Sequence, residues 1–244
     1  MSFPFDLTLL EVIFIALLLF VSSAVQGVLG FGFAVIASPI IVQINPNLVP
    51  QLLALLGLPI ALRVFFREKD GAALEKVKPL IIGRLVGGPI GLLLLLNLSE
   101  KYLSIAVGVI VLVAGLGSFF GWVINRNNLN SFFAGTFSGI FGMVAAVGGP
   151  PVALLYRNTK SQEFRPSLNI VFSIGILITL SLLVLSGNLY TDHLLLFVLF
   201  LPFVLVGVRV SSSIFSKFSD AFIATSVTYF SVLSGMYVIL RNLN

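Results

Sequence analysis

The hydrophobic positions of this chain come in long runs rather than in alternation. Eight apolar stretches can be marked: residues 7–44, 51–66, 79–98, 101–123, 131–156, 166–187, 193–216 and 220–240, with short polar connections between them. A helix needs about 20 mostly apolar residues to cross the hydrocarbon of a bilayer. Strands of a membrane barrel would instead alternate apolar and polar residues. The pattern predicts an all-α, polytopic membrane protein with a single transmembrane domain over 1–244. Two stretches are too long and too interrupted for one helix. Residues 7–44 carry Gly27, Gly30, Gly32 and Pro39, and residues 131–156 carry Gly148, Gly149, Pro150 and Pro151. Taking each as two short helices or a re-entrant pair gives about 8–10 membrane segments, two of them broken.

The stretches also repeat. Residues 26–42, QGVLGFGFAVIASPIIV, align with 138–154, SGIFGMVAAVGGPPVAL, setting Gly27 on Gly139, Gly30 on Gly142 and Pro39 on Pro151. Residues 85–115 align in the same way with 205–235, setting Ser99 on Ser219 and Gly115 on Gly235. Two structurally similar repeats follow, about 7–123 and about 131–240. Loop charges set their relative direction. If each interrupted stretch returns to the side it entered from, ten cations lie inside: Arg63, Arg67, Lys69, Lys76, Lys78, Arg126, Arg157, Lys160, Arg165 and Lys217. Only Lys101 and Arg241 then lie outside. If each stretch crosses once, the repeats are parallel and the excess falls to seven against five. Cytoplasmic loops are rich in Lys and Arg, which selects inverted repeats with both termini outside.

Composition agrees and narrows the chemistry. The chain is 58% hydrophobic and 9% charged, with a mean hydropathy of +1.13, whereas soluble domains carry about 25% charged residues. There is no cysteine and one histidine. That removes disulfides, thiolate metal sites and thiol chemistry, and makes a histidine-rich metal site unattractive, so no cofactor or metal is expected. The net charge of +5 reflects basic inside loops and does not point to nucleic acid. No Lys or Arg precedes the first apolar run, and the N-terminal segment MSFPFDLTLLEVIF carries Asp6 and Glu11, unlike a cleaved signal peptide.

Helix-breaking residues at membrane depth are tolerated where protein or water satisfies the freed backbone. Transporters built from inverted repeats use this: half-helix N-termini meet near the midplane and aim their positive ends at an anion. Proline suits the first turn of a helix, where no N–H bond is lost. Pro39 and Pro151 are therefore expected to mark two helix starts, with Gly30, Gly32, Ser38, Gly148, Gly149 and Pro150 around them giving backbone access to a small anion. The plainer alternative is that these small residues serve close helix packing. Arg84 and Arg209 lie about five and seven residues inside their stretches, roughly 8–10 Å deep. Each either faces an anion pathway or snorkels to the interface. Gln26, Ser22, Ser23, Ser138, Asn169 and Ser173 either bond substrate oxygens or satisfy broken backbone. No acidic residue lies deep in an apolar run, which argues against a carboxylate proton relay, and His193 reads as part of an interfacial turn. Paired carboxylates, a phosphate-binding loop and a nucleophile triad are all missing from the sequence, so an enzyme is not expected.

At these residues the chain resembles the TauE/SafE family, the sulfite exporter family. GVLGFGFAVIASPIIV (27–42) and GIFGMVAAVGGPPVAL (139–154) are similar to its paired glycine-rich signatures. LVGGPIGLLLLLNLS (85–99) and LVGVRVSSSIFSKFS (205–219) are similar to its helices of small residues ending in Leu-Ser or a close variant. The resemblance implies a multi-pass transporter in a bacterial inner membrane, exporting sulfite, sulfoacetate or related organosulfonates by alternating access, with the anion and the lipid bilayer as its partners. By position, Gly30, Gly32, Ser38, Pro39, Gly148, Gly149, Pro150 and Pro151 fall in the signature segments, and Arg209 follows a glycine where the family often has a basic residue. The first copy reads GFGFA and the second GMVAAVGGPP, departing from the run of three glycines that many members carry in both copies, which leaves the substrate open. An anion channel of the same fold is the alternative; an embedded enzyme and an accessory subunit are further ones.

Overall fold

A computed structural model describes residues 3–215 and 217–243, so the ends of the 1–244 domain and residue 216 lie outside the described residues. The described residues form ten α-helices: α1 Leu9–Leu29, α2 Phe33–Ile44, α3 Gln51–Glu68, α4 Leu74–Asn97, α5 Glu100–Phe119, α6 Asn128–Ala145, α7 Gly149–Tyr156, α8 Ser161–Leu185, α9 Thr191–Ile214 and α10 Asp220–Leu243. Seven of them, α1, α3, α4, α5, α8, α9 and α10, are long and apolar enough to cross a membrane. Large apolar side chains such as Leu93, Leu185, Val198 and Leu233 stay more than 60% exposed, as a lipid-facing surface requires.

Local chemistry sets the starts and stops. Thr8 opens α1 with a reciprocal cap: its hydroxyl accepts from the Glu11 amide at 3.3 Å, and the Glu11 carboxylate accepts from the Thr8 amide at 2.8 Å. The Asn127 side chain accepts from the Asn130 amide at 2.8 Å and opens α6. The two interrupted stretches are covered by α1 and α2 and by α6 and α7. Each first helix ends on a left-handed residue, Gly30 at φ +83° and Ala146 at φ +58°. Glycine takes that conformation freely, whereas alanine is strained there by roughly 1–2 kcal/mol.

Two details differ from the sequence expectations. The break falls at Gly30–Gly32, and neither Gly27 nor Pro39 interrupts a helix. Gly27 lies inside α1, where an added Cβ would stand 2.5 Å from the Ser211 hydroxyl of α9, so the packing alternative holds for this glycine. Pro39 lies inside α2, whose first residue is Phe33. The matching left-handed caps also pair Gly30 with Ala146, four residues from the Gly142 partner that the alignment chose. Four residues are about one turn, so a glycine pattern on one helix face matches almost as well one turn out of register.

Contacts sort the helix termini into two ends. At one end, Asn45 after α2 donates to the Phe5 carbonyl ahead of α1 at 3.5 Å. There Asn47 donates to Glu100 at the start of α5 at 3.1 Å, His193 near the start of α9 bonds the Asn47 carbonyl at 2.9 Å, and Gln51 opening α3 donates to the Asn188 carbonyl at 3.2 Å. His193 thus closes a turn, as its sequence position suggested. At the other end, Arg165 pairs with Asp220 at 2.8 Å, Arg126 and Lys76 meet Glu163 at 2.9 and 3.5 Å, and Arg157 donates to the Ser118 carbonyl at 3.3 Å. Between the ends α1 packs on α9, α4 on α6, α5 on α10 and α3 on α8. The α4–α6 seam is almost backbone on backbone. A Cβ at Gly87 would stand 2.0 Å from the Thr136 carbonyl, and one at Gly135 would stand 2.2 Å from the Leu80 carbonyl. Small residues spaced by four let membrane helices approach this closely.

Candidate functional site

The two breaks line one cavity. Phe31, Gly32, Phe33, Ala34 and Val35 come from the first, and Ala146, Val147, Gly148 and Gly149 from the second. The cavity holds about 50 Å³ of space for the centre of a water-sized sphere, enough for a small ion or a few waters. α1 adds Gln26, α4 adds Arg84, and α8 adds Phe172, Ile176 and Thr179.

The first break is held from behind by side chains. The Gln26 carbonyl accepts from the Phe33 amide at 3.2 Å, satisfying one of the free N–H groups in the first turn of α2. Its amide donates to Asn169 at 3.5 Å. Asn169, fully buried on α8, donates to the Gly30 carbonyl and to the Arg165 carbonyl, both at 2.8 Å. Ser38 on α2 donates to the Ala145 carbonyl at the end of α6 at 2.7 Å, which ties the two breaks together. Gly32, at φ +116°, stands just before α2.

At the second break α7 begins at Gly149, with Pro150 and Pro151 in its first turn where the missing N–H groups cost nothing. The Ser138 hydroxyl donates to the Gly148 carbonyl and accepts from Arg84 Nη1, the latter at 3.1 Å. Arg84 is 3% exposed. α4 starts at Leu74, five residues ahead of its apolar run, so Arg84 sits about 15 Å from that helix start, half of a hydrocarbon core about 30 Å thick. At that depth and burial it does not snorkel. Three glycines make room for its guanidinium. A Cβ at Gly142, Gly148 or Gly175 would stand 2.9, 3.0 or 1.9 Å from an Arg84 nitrogen. Ser138 is its only hydrogen-bond partner among the described residues, Nε is unpaired, and no carboxylate pairs with it. A lone buried cation is expensive in an apolar interior, and this one borders a cavity between two helix starts.

Of the residues singled out in the sequence, Gln26, Gly32, Arg84, Gly148 and Gly149 line the cavity. Gly30, Ser38, Ser138 and Asn169 brace it through hydrogen bonds. Pro150 and Pro151 face other cavities, Pro150 one that reaches α10 and both of them one between α5, α6 and α7. Arg209 does not join. It is exposed, five residues from the end of α9, and no described residue of α9 is in the lining. Ser22 and Ser23 close onto carbonyls of their own helix, at Leu18 and Phe20. Ser173 does the same at Asn169. Sequence reasoning missed Phe172, Gly175, Ile176 and Thr179. The spacing of Asn169, Phe172, Ile176 and Thr179 by three and four along α8 places them on one helix face, a signal that was there to use.

The family model described as "Sulfite exporter TauE/SafE" matches residues 14–238. The chain belongs to that family. It is a multi-pass membrane transporter of an anion-exporting family and not an enzyme. No curated protein and no solved structure matches it.

Proposed function

We propose that this protein exports a small sulfur oxyanion or sulfonate across a bacterial inner membrane, and that the anion sits in the cavity between the two breaks on the guanidinium of Arg84. Arg84 carries the proposal: a buried cation whose one hydrogen-bond partner among the described residues is Ser138 and whose Nε is unpaired is stable where an anion completes it. The Phe33 amide is taken by Gln26, and Pro150 and Pro151 have no N–H. Further donors therefore come from the backbone of Ala34 and Val35 at the start of α2 and of Gly148 and Gly149 ahead of the prolines of α7, all of which line the cavity.

The halves 9–119 and 128–243 act as inverted repeats in this proposal. Each has a long helix, a shorter one and three long ones, and their packing exchanges, with α1 on α9 answered by α6 on α4. The end holding Arg126, Arg157 and Arg165 is cytoplasmic by its positive charge, and both termini are outside. Alternating access arises as one half rocks against the other. On the basic side Phe31 and Val35 border both the anion cavity and a larger one of about 320 Å³ between α5, α7 and α10. They form the wall that must open inward.

Counterflow in proteoliposomes tests this. Vesicles preloaded with unlabelled sulfite should accumulate labelled sulfite transiently, and Arg84→Ala vesicles should not. Equal counterflow by wild type and Arg84→Ala overturns the site. Flux without counterflow overturns alternating access in favour of a channel.

A further inference from the structure

We infer that the site accepts anions of a single negative charge, so that among sulfur compounds it takes hydrogensulfite and monoanionic sulfonates and refuses the dianions sulfite, sulfate, thiosulfate and sulfoacetate. This deepens the site proposed above and rests on an anion binding there at all.

Charge accounting leads to it. Among the described residues Arg84 is the only Lys, Arg, Asp or Glu side chain that is buried. Two other cations approach the first break, and both are already neutralised. Arg67 donates to the Gly27 carbonyl at 2.9 Å but pairs with Glu68 at 2.6 Å. Arg165 lies over Gly30 but pairs with Asp220 at 2.8 Å. Neither lines the cavity. The polar lining side chains other than Arg84 are Gln26 and Thr179, both neutral, and Gln26 is committed to Phe33 and Asn169.

Helix dipoles do not change the sum. A helix start carries roughly half a positive charge and a helix end roughly half a negative one. At each break the two coincide: α1 ends at Leu29 and α2 begins at Phe33, while α6 ends at Ala145 and α7 begins at Gly149. Within a few ångströms the partial charges cancel as net charge, though the N–H groups remain as local donors. The fixed charge of the cavity is therefore that of one guanidinium. A monoanion neutralises it. A dianion leaves one uncompensated negative charge against Phe31, Phe33, Leu53, Phe172 and Ile176, which an apolar wall penalises heavily.

The test uses purified full-length protein and thermal stabilisation by anions at constant ionic strength, since a ligand that binds only the folded state raises stability by mass action. Methanesulfonate is compared with sulfate and thiosulfate at one pH, and sulfite is then titrated across neutral pH, where it exchanges with hydrogensulfite. No side chain lining the cavity from α1, α2, α3, α6 or α8 titrates in that range, so methanesulfonate should give a pH-independent shift. It should bind at least about tenfold tighter than sulfate, a difference of about 1.4 kcal/mol. The apparent affinity for sulfite should fall with rising pH in step with loss of hydrogensulfite. Dianions binding as well as methanesulfonate, or a sulfite affinity flat with pH, overturns the charge selectivity and leaves the anion site standing. No stabilisation by any anion overturns both.

Discussion

The guanidinium of Arg84 lies directly against Gly175. A Cβ on residue 175 would sit 1.9 Å from Nε and 2.0 Å from Cζ. One helix therefore leaves a side chain out so that another can bring a charge to the middle of the molecule. Gly142 and Gly148 do the same on the other side of the guanidinium. The glycines that matter most to the site are those that shape room for Arg84, in addition to those that turn the chain.

Gly175→Ala should therefore act on Arg84 without touching the anion. The protein should fold, because alanine favours helix by about 1 kcal/mol over glycine. Anion binding should weaken at least about tenfold as the guanidinium is pushed aside. Gly117→Ala on α5, outside the cavity lining, is the control: its Cβ would meet Trp122 at 3.3 Å and Leu154 at 3.7 Å. Thermal stabilisation by methanesulfonate measures both. If Gly175→Ala binds methanesulfonate like wild type and like Gly117→Ala, the guanidinium does not need its present seat.

A buried charge kept for function should cost stability. Arg84→Met replaces the guanidinium with an apolar side chain, while the Ser138 hydroxyl keeps the Gly148 carbonyl as partner. Removing an uncompensated buried charge should stabilise the anion-free protein by about 1–3 kcal/mol, while transport is lost. Thermal unfolding in detergent without anion gives the first, and proteoliposome flux the second. A destabilised Arg84→Met would mean the guanidinium is a structural brace.

Ala146 holds the left-handed cap of α6 that Gly30 supplies for α1. Ala146→Gly relieves roughly 1–2 kcal/mol of backbone strain and gives some back through the more flexible unfolded chain. A net gain of about 0.5–1 kcal/mol is expected, read as a rise in unfolding temperature. A loss of stability would show that the methyl group packs more favourably than the strain costs.

The sequence carried most of the helix plan because apolar length is set by the membrane and shows in one dimension. The stretch 51–66 became α3 at Gln51–Glu68, and 220–240 became α10 at Asp220–Leu243. The breaks were legible as well, since Gly30, Gly32, Gly148 and Gly149 have few other uses side by side in apolar runs. Which arginine borders the cavity was not. Arg84 and Arg209 look alike along the chain, and what separates them is the direction each faces. Hydropathy also understated the depth of Arg84, because α4 begins with Leu74, Glu75 and Lys76, a charged first turn outside the apolar run. Pro39 misled for a related reason: proline marks a helix start only when it falls in the first turn, and here that turn begins at Phe33.

The absence of cysteine from the chain makes its orientation directly measurable. Lys101, beside the end that joins Asn47 to Glu100, and Lys160, beside the end that joins Arg126 to Glu163, are both exposed. Inverted repeats that return at each break put these lysines on opposite sides of the membrane, with Lys160 inside by the excess of positive charge. Parallel repeats that cross at each break put both outside. An impermeant maleimide added to intact cells should label Lys101→Cys and spare Lys160→Cys until the membrane is opened. Labelling of both in intact cells would make the repeats parallel. The two helix starts would then reach the cavity from the same side, and the rocking of one half against the other would lose its geometric basis.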